Sequence, residues 1–355
     1  MKQTLLACAL LGAFAPAARA QSNDIQLYGR LNLALESVQG SGHTMRVSNH
    51  RSVFGLRGSD AITGGLRLLY QVESALAPDT GSGALAARDT RVGLAGRWGT
   101  LFAGNWSTPY NTATASLDPF YPTTAGYMSI MGNGAAPSAG NLDDTASFDR
   151  RQKNSLHYWT PAWRGLSLRL AHGFNEERPA GGARPALSSG ALQFERGPLF
   201  VALAHERHRD YQGPGLSDRG GKLALAWQFG RVRLALAGER LEYRTPTGAL
   251  RRDAWFAAVS RQAGAHALRL AVARAKDGKG SATERIGFIA AGPDTGALHA
   301  TVGYDYALSR RTSLFAFHTR IHNRAHGTVD FAINGLAPVE GARLRGTAMG
   351  IRHAF

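Results

Sequence analysis

Beyond residue 20 the sequence contains no cysteine and no long apolar run, and lysine is rare throughout. The one cysteine, Cys8, lies in the first twenty residues, so a chain cleaved after them has no disulfide, which excludes a small stapled secreted domain. No later stretch approaches the roughly 18 consecutive apolar residues of a membrane helix. Of the 41 basic residues only Lys2, Lys153, Lys222, Lys276 and Lys279 are lysines, so the formal charge of +16 is carried mostly by arginine, which stays protonated at any relevant pH. Basic clusters are also missing. The charge is spread along the chain, which argues against nucleic acid and for small anions or lipopolysaccharide phosphates as partners.

The first twenty residues have the secretory pattern. Lys2 gives a positive start, Leu5 to Ala15 a short apolar stretch, and Ala18-Arg19-Ala20 small residues at the cleavage positions. Residues 1–20 are therefore expected to be removed, leaving one domain over 21–355 with a charge of +14 once Lys2 and Arg19 are gone. Too little apolar sequence precedes Cys8 for a lipoprotein site, and it reads as an apolar residue of the leader.

What the rest of the chain does contain is strict alternation. In Gln26-Leu27-Tyr28-Gly29-Arg30-Leu31-Asn32-Leu33 the leucines share one parity and the polar groups the other, and Leu166 to Leu170, Lys222 to Trp227 and Ala267 to Val272 repeat the pattern. A period of two gives a strand one apolar and one polar face. Tight connections such as Thr63-Gly64-Gly65 and Arg196-Gly197-Pro198 alternate with long polar ones: Gln39 to His50, Trp106 to Arg150, Asn175 to Ser188, His208 to Arg219, Lys276 to Gly296 and Arg324 to Gly341. Short turns at one end and long loops at the other characterise a transmembrane barrel, since only helices or closed sheets can cross hydrocarbon.

The spacing predicts an all-β, antiparallel barrel of sixteen strands, from 25–38 to 343–355, with seven short turns and eight long loops. The fifth (100–105) and eighth (189–195) strands are short, and 283–291, which could also be strand-like, is assigned to a loop. Sixteen strands leave room for an aqueous channel. Tyr28, Trp98, Trp159, Trp163, Trp227, Phe229 and Trp255 lie near strand ends and suit either interfacial girdles or ordinary sheet packing.

Several blocks resemble the outer-membrane general porins of the betaproteobacterial type. They are Leu27-Tyr28-Gly29, Phe54 to Asp60 through Gly64-Gly65-Leu66 to Gln71-Val72-Glu73-Ser74, Val92-Gly93-Leu94 with Trp98-Gly99-Thr100, Asn154 to Tyr158 with Pro161 and Gly165, Leu308 to Thr312, and the ending Gly350 to Phe355. The resemblance implies a homotrimer of pores for passive diffusion of small hydrophilic solutes, without cofactor or metal. It also implies that the long third loop, about 106–150, folds inward, its acids facing basic wall residues. The loop acids are Asp118, Asp143, Asp144 and Asp149, each of which could equally be a solvated or turn-forming carboxylate. By parity Arg30, Arg51, Arg57, Arg67, Arg91, Arg151 and Lys153 should point into the lumen, and Arg88 stands at a position commonly basic in that family. Gln71 and Glu73 share the face of Arg67, so a local ion pair competes there.

Met349, Ile351, His353 and Phe355 share one parity, as in the C-terminal strand that the barrel-assembly machinery reads in that family. Two departures remove positive charge. Val53 stands where the family often has arginine, with Arg51 two residues earlier, and Gly104-Asn105 replaces Gly-Arg. An anion preference is nevertheless expected.

Enzymatic motifs are weak. His318, His322 and His326 are four apart, roughly 13 Å between neighbours on a strand, too far to share a metal. Gly278-Lys279-Gly280-Ser281 lacks the phosphate-loop spacing, and His205-Glu206-Arg207-His208 is one residue short of a zinc-protease motif. A solute-selective channel and a surface adhesin are the rival readings. Saturable conductance would mark the former, and a folded barrel without channels the latter.

Overall fold

A computed structural model of the chain describes residues 25–134, 145–174, 176 and 182–355. The expected leader lies outside them. The strand order is β1 (Gln26–Gln39), β2 (His43–Asn49 continued by Ser52–Ala61), β3 (Arg67–Ala77), β4 (Ser82–Ala84 continued by Thr90–Gly96), β5 (Gly99–Ser107), β6 (Arg151–Trp159), β7 (Leu166–Gly173) and β8 (Ala186–Arg196). It continues with β9 (Leu199–Arg209), β10 (Ser217–Phe229), β11 (Val232–Thr245), β12 (Gly248–Ala263), β13 (His266–Ala275), β14 (Ala297–Ala307), β15 (Thr312–Asn323) and β16 (Arg343–Ala354). Each strand pairs antiparallel with its sequence neighbours, and β1 closes the ring on β16 from Arg30 opposite Ala354 to Gln39 opposite Arg345. Closure leaves no open sheet edge, the condition for a sheet in hydrocarbon.

Alternation sorts the side chains. On β10, Lys222, Ala224 and Ala226 are buried while Leu223, Leu225 and Trp227 are exposed on the outer face. The same outward set runs round the ring: Leu27, Leu31, Leu35, Leu94, Leu156, Leu203, Leu236, Leu270, Val302 and Ile351. An apolar band on the outside of a closed barrel belongs in lipid. Trp98, Trp163, Trp227, Phe229 and Trp255 are exposed near strand ends, as girdle residues would be. Tyr28 and Trp159 are not. Tyr28 donates to Glu73 at 3.0 Å and Trp159 packs edge-on against the buried Phe102, both on the inner wall.

The inner wall is of two kinds. On β8 to β13 it is paved with alanine, including Ala191, Ala202, Ala204, Ala224, Ala226, Ala235, Ala237, Ala271 and Ala273, and the buried hydrophobic cluster lies between these residues and the long third loop. On β1 to β4 the wall carries Arg30, Arg57, Arg67 and Arg91 among polar residues such as Asn32, Glu36, Gln71 and Glu73.

Two of the connections at the loop end are shorter than the sequence suggests. Residues 43–49 are strand, not loop: they pair with β1 and leave only Gly40-Ser41-Gly42 as a turn. A backbone ladder can continue past the bilayer whatever its side chains, so polarity alone does not end a strand. Between β11 and β12 only Pro246 and Thr247 intervene.

Among the described residues, single-residue bulges on β2 and β6 interrupt the alternation near the third loop. Asn49 stands opposite Leu33 but Val53 opposite Arg30, so β2 carries an extra residue there, with Arg51 at φ 55°. On β6, Gln152 faces Trp106 but Ser155 faces Gly104, again one residue extra, with Asn154 at φ 49°. Such bulges re-aim side chains without breaking the sheet.

Leu223→Arg places a charge on the lipid face midway along β10. It should cost about 2–4 kcal/mol if that position lies at the bilayer midplane, measured as a shift in reversible urea unfolding in lipid vesicles followed by tryptophan fluorescence.

Candidate functional site

The third loop leaves β5 after Ser107 and returns at Arg151, and its described parts, 108–134 and 145–150, lie inside the barrel. It starts with a short helix, α1 (Pro109–Ala115), capped by Thr108, whose side chain accepts from the Asn111 N–H. The loop is held by polar contacts to the alanine-paved wall. Tyr110 donates to Glu239 at 2.8 Å, and the Gly132 N–H donates to the other oxygen of that carboxylate at 2.7 Å. Lys222 reaches Glu239 at 3.4 Å and donates to Thr114 at 3.2 Å. Arg252 donates to the Ile130 carbonyl, Arg269 to that of Pro119, and Thr301 to that of Ala125. Tyr110, Phe120, Tyr127 and Phe148 fill the space between loop and wall.

This docking leaves an opening on the opposite side, a cavity of about 340 Å³. Arg51, Arg88, Arg150 and Arg151 line it together with Asp149, Asn111 and Tyr121 of the loop. The Arg51 guanidinium lies 6.0 Å from the Tyr121 ring and makes no ion pair with any described residue. Its backbone is fixed by Arg30, which donates to the Arg51 carbonyl at 3.0 Å. Arg88 pairs with Glu73 at 3.0 Å and Arg151 with Asp89 at 2.7 Å.

Of the wall residues named from sequence, Arg51, Arg88 and Arg151 meet at this opening. Arg30, Arg57 and Arg67 also occupy the inner wall but line other parts of it. Arg57 donates to Gln26 at 3.2 Å and sits over the Tyr28 ring, while Arg67 donates to Ser59. Arg91 faces inward yet is enclosed by Trp106, Phe102 and Trp159, 4.3, 4.8 and 5.3 Å from the ring centres. Lys153 does not face the lumen. The β6 bulge turns it to the outside, where it lines a groove with Leu85, Ala103, Phe174 and Glu176.

Of the loop acids, Asp149 borders the opening and accepts from Asn111. Asp118 does not: it is buried within the loop, accepting the Phe120 N–H at 2.9 Å and the Tyr127 N–H at 2.8 Å, so it fixes the loop's own fold. Asp143 and Asp144 lie outside the described residues. The acids at the wall, Glu73 and Asp89, pair with Arg88 and Arg151. The sequence reading names Glu73 only as a neighbour of Arg67 and misses Asp89, which no pattern in the sequence singles out.

Both sequence departures have structural roles. Val53 is a buried residue of the inner wall, and the bulge beside it presents Arg51 to the opening. Asn105 donates to the carbonyls of Ala87 and Arg88, both at 3.3 Å, and so secures the segment that carries Arg88.

At the C-terminus, Met349, Ile351 and His353 stand opposite Leu35, Leu33 and Leu31 on the outer face. Phe355 exchanges backbone hydrogen bonds with Gly29 at 3.0 and 3.1 Å and covers that glycine, where a Cβ would strike its ring.

The sequence pattern of the Gram-negative porin family matches residues 7–326. Outer membrane porin protein 32 of Delftia acidovorans is 26% identical and an outer membrane porin protein of Bordetella pertussis 25% identical, each over 100% of both chains. Among solved structures, an anion-selective porin from Comamonas acidovorans superimposes with a TM-score of 0.80 at 22% identity, covering 94% of this chain and 100% of that one. A Salmonella typhi OmpF complex superimposes with a TM-score of 0.64 at 14% identity, covering 93% of this chain and 97% of that one.

Burial pushes the Asp118 carboxyl up to about 6, against the pull of the Tyr127 and Phe120 N–H groups. A folded pKa above the unfolded one means that this group's stabilisation is fully present below the unfolded value of about 4 and is lost as pH rises through about 6. Open-channel current noise from the loop should therefore rise between pH 5 and pH 7.5. Asp118→Ala leaves two buried N–H groups unpaired at about 1–3 kcal/mol each, so its recordings should be noisy at both pH values.

Proposed function

Since the chain belongs to the Gram-negative porin family and forms a water-filled channel across the outer membrane for passive diffusion of small hydrophilic solutes, we propose that its constriction favours anions. The observation that carries this reading is the charge at the opening. Arg51, Arg88, Arg150 and Arg151 line the opening with Asp149, Glu73 and Asp89 stand behind Arg88 and Arg151, and the Arg150 guanidinium lies over the Tyr211 ring at 5.0 Å. Among the described residues, four positive charges at the opening stand against three negative, an excess of one. Arg51 is the cation without an ion-pair partner among the described residues. Arg30, Arg57 and Arg67 on the inner wall add to the positive potential along the route, and a charged lining concentrates counter-ions. The structural likeness to an anion-selective porin agrees with this assignment.

The same reading includes a trimer of barrels, export through a leader over residues 1–20, one barrel domain over 21–355, and insertion among outer-membrane lipids. It further includes recognition of Met349, Ile351, His353 and Phe355 by the assembly machinery. Their common outer face and the packing of Phe355 on Gly29 support a readable terminal strand. Deleting Phe355 should sharply reduce the protein in the outer-membrane fraction, measured by immunoblot, and leave unassembled chain in the periplasm.

The anion preference is tested by the reversal potential of the refolded protein in a planar bilayer under a KCl gradient. Chloride preference is expected, and a cation-selective wild type would refute it. One charge about 4 Å from the ion path is worth roughly 1 kcal/mol in water. Arg51→Ser should thus lower the chloride-to-potassium ratio by about fivefold, and Asp149→Asn should raise it.

A further inference from the structure

On the outer face, at the loop end of β13 to β16, the apolar band gives way to arginine and lysine. Arg274 projects outward from β13, with Lys276 and Lys279 beyond it, Arg320 from β15, and Arg343 and Arg345 from β16. Along one row of the sheet Trp255, Arg274, Leu298, His322 and Arg343 stand side by side, and in the next Arg320 stands directly opposite Arg345. Like charges facing each other across a strand pair are destabilising. None of these six cations makes an ion pair with a described residue. Arg320 donates to the neutral partner His318 at 2.9 Å, and Lys276 acts on Asp253 only through space while Arg240 holds that carboxylate. Arg324, in contrast, is paired with Asp277 and Asp294.

We propose that this stripe is a binding site for the phosphate groups of a phosphorylated glycolipid of the outer leaflet. The inference rests on the outer-membrane setting argued above, with the long loops facing out of the cell. A groove of about 640 Å³ between Trp255, Arg274, Lys276, Lys279 and His322 opens on the lipid side of the wall, away from the lumen. Three strand spacings separate Arg274 from Arg343, about 14 Å, wide enough for a phosphorylated disaccharide. Toward the turn end the same strands expose Leu270, Val302, Leu314, Met349 and Ile351, a surface for acyl chains. Cations above apolar side chains match an amphiphile carrying phosphate, and neither a free anion nor a nucleic acid would use the apolar half. Arginine binds phosphate through a planar fork, and each cation near an anionic leaflet adds to the attraction.

The test uses the delipidated, full-length mature protein in neutral detergent, with binding read by native mass spectrometry. Bisphosphorylated lipid A should bind at least about tenfold more tightly than dephosphorylated lipid A, and millimolar inorganic phosphate should not displace it. Combining Arg274→Ser, Arg320→Ser, Arg343→Ser and Arg345→Ser should abolish that preference, with single-channel conductance unchanged. Should that variant fail to fold, the wild type answers alone: raising salt from about 50 to about 500 mM should strip the phosphorylated lipid. Equal binding of the two lipids, displacement by inorganic phosphate, or undiminished preference in the folded variant would overturn the proposal. A barrel that binds lipid A but passes no current would instead count against the channel reading.

Discussion

In hydrocarbon an unpaired backbone N–H or C=O has no water to turn to, and this chain meets that condition by closing on itself. The seam between β1 and β16 joins the two ends of the described sheet, and Gly29 and Phe355 complete it. Once the ladder is closed the side chains are free to differ by face, apolar toward lipid and polar toward water. Everything that makes the protein a channel is then a matter of what fills the interior.

The interior is divided unevenly. Alanine on β8 to β13 gives the third loop a shallow surface to lie on, and Lys222, Arg252, Glu239 and Thr301 fasten it there. Several of the buried cations are thus spent on loop carbonyls and an acid rather than on solute. The remaining arginines are on the opposite side, where Glu73 and Asp89 moderate two of them and Arg51 stands apart. A strongly basic chain can in this way present a nearly balanced opening, because net charge counts residues and selectivity depends on where they end up.

The barrel and its sixteen strands were legible because a period of two survives in Gln26 to Leu33 and Lys222 to Trp227 without help from tertiary structure. Parity failed where a bulge intervened. Counting back from Leu156 assigns Lys153 to the lumen, but the extra residue beside Asn154 reverses it. The bulge near Arg51 left a different mark: Val53 looked like lost charge until the inserted residue showed how Arg51 reaches the opening. Asp118 and Asp149 were indistinguishable as loop carboxylates, since only the fold of the loop determines which one caps its own backbone. Nor could the alternation separate Lys222, which fastens the loop, from Arg30 on the open wall, because both are inward residues of a strand.

The alanine floor has a consequence for how such a channel changes over evolutionary time. The loop rests on it as a shim rests on a bed, so the height of the floor sets how far the loop stands out into the bore. Enlarging a floor residue such as Ala224 or Ala235 would lift the loop toward the arginines across the way without adding a group that any passing solute touches. The gauge of the opening can therefore drift through residues hidden behind the loop, while the charges that face the solute stay as they are.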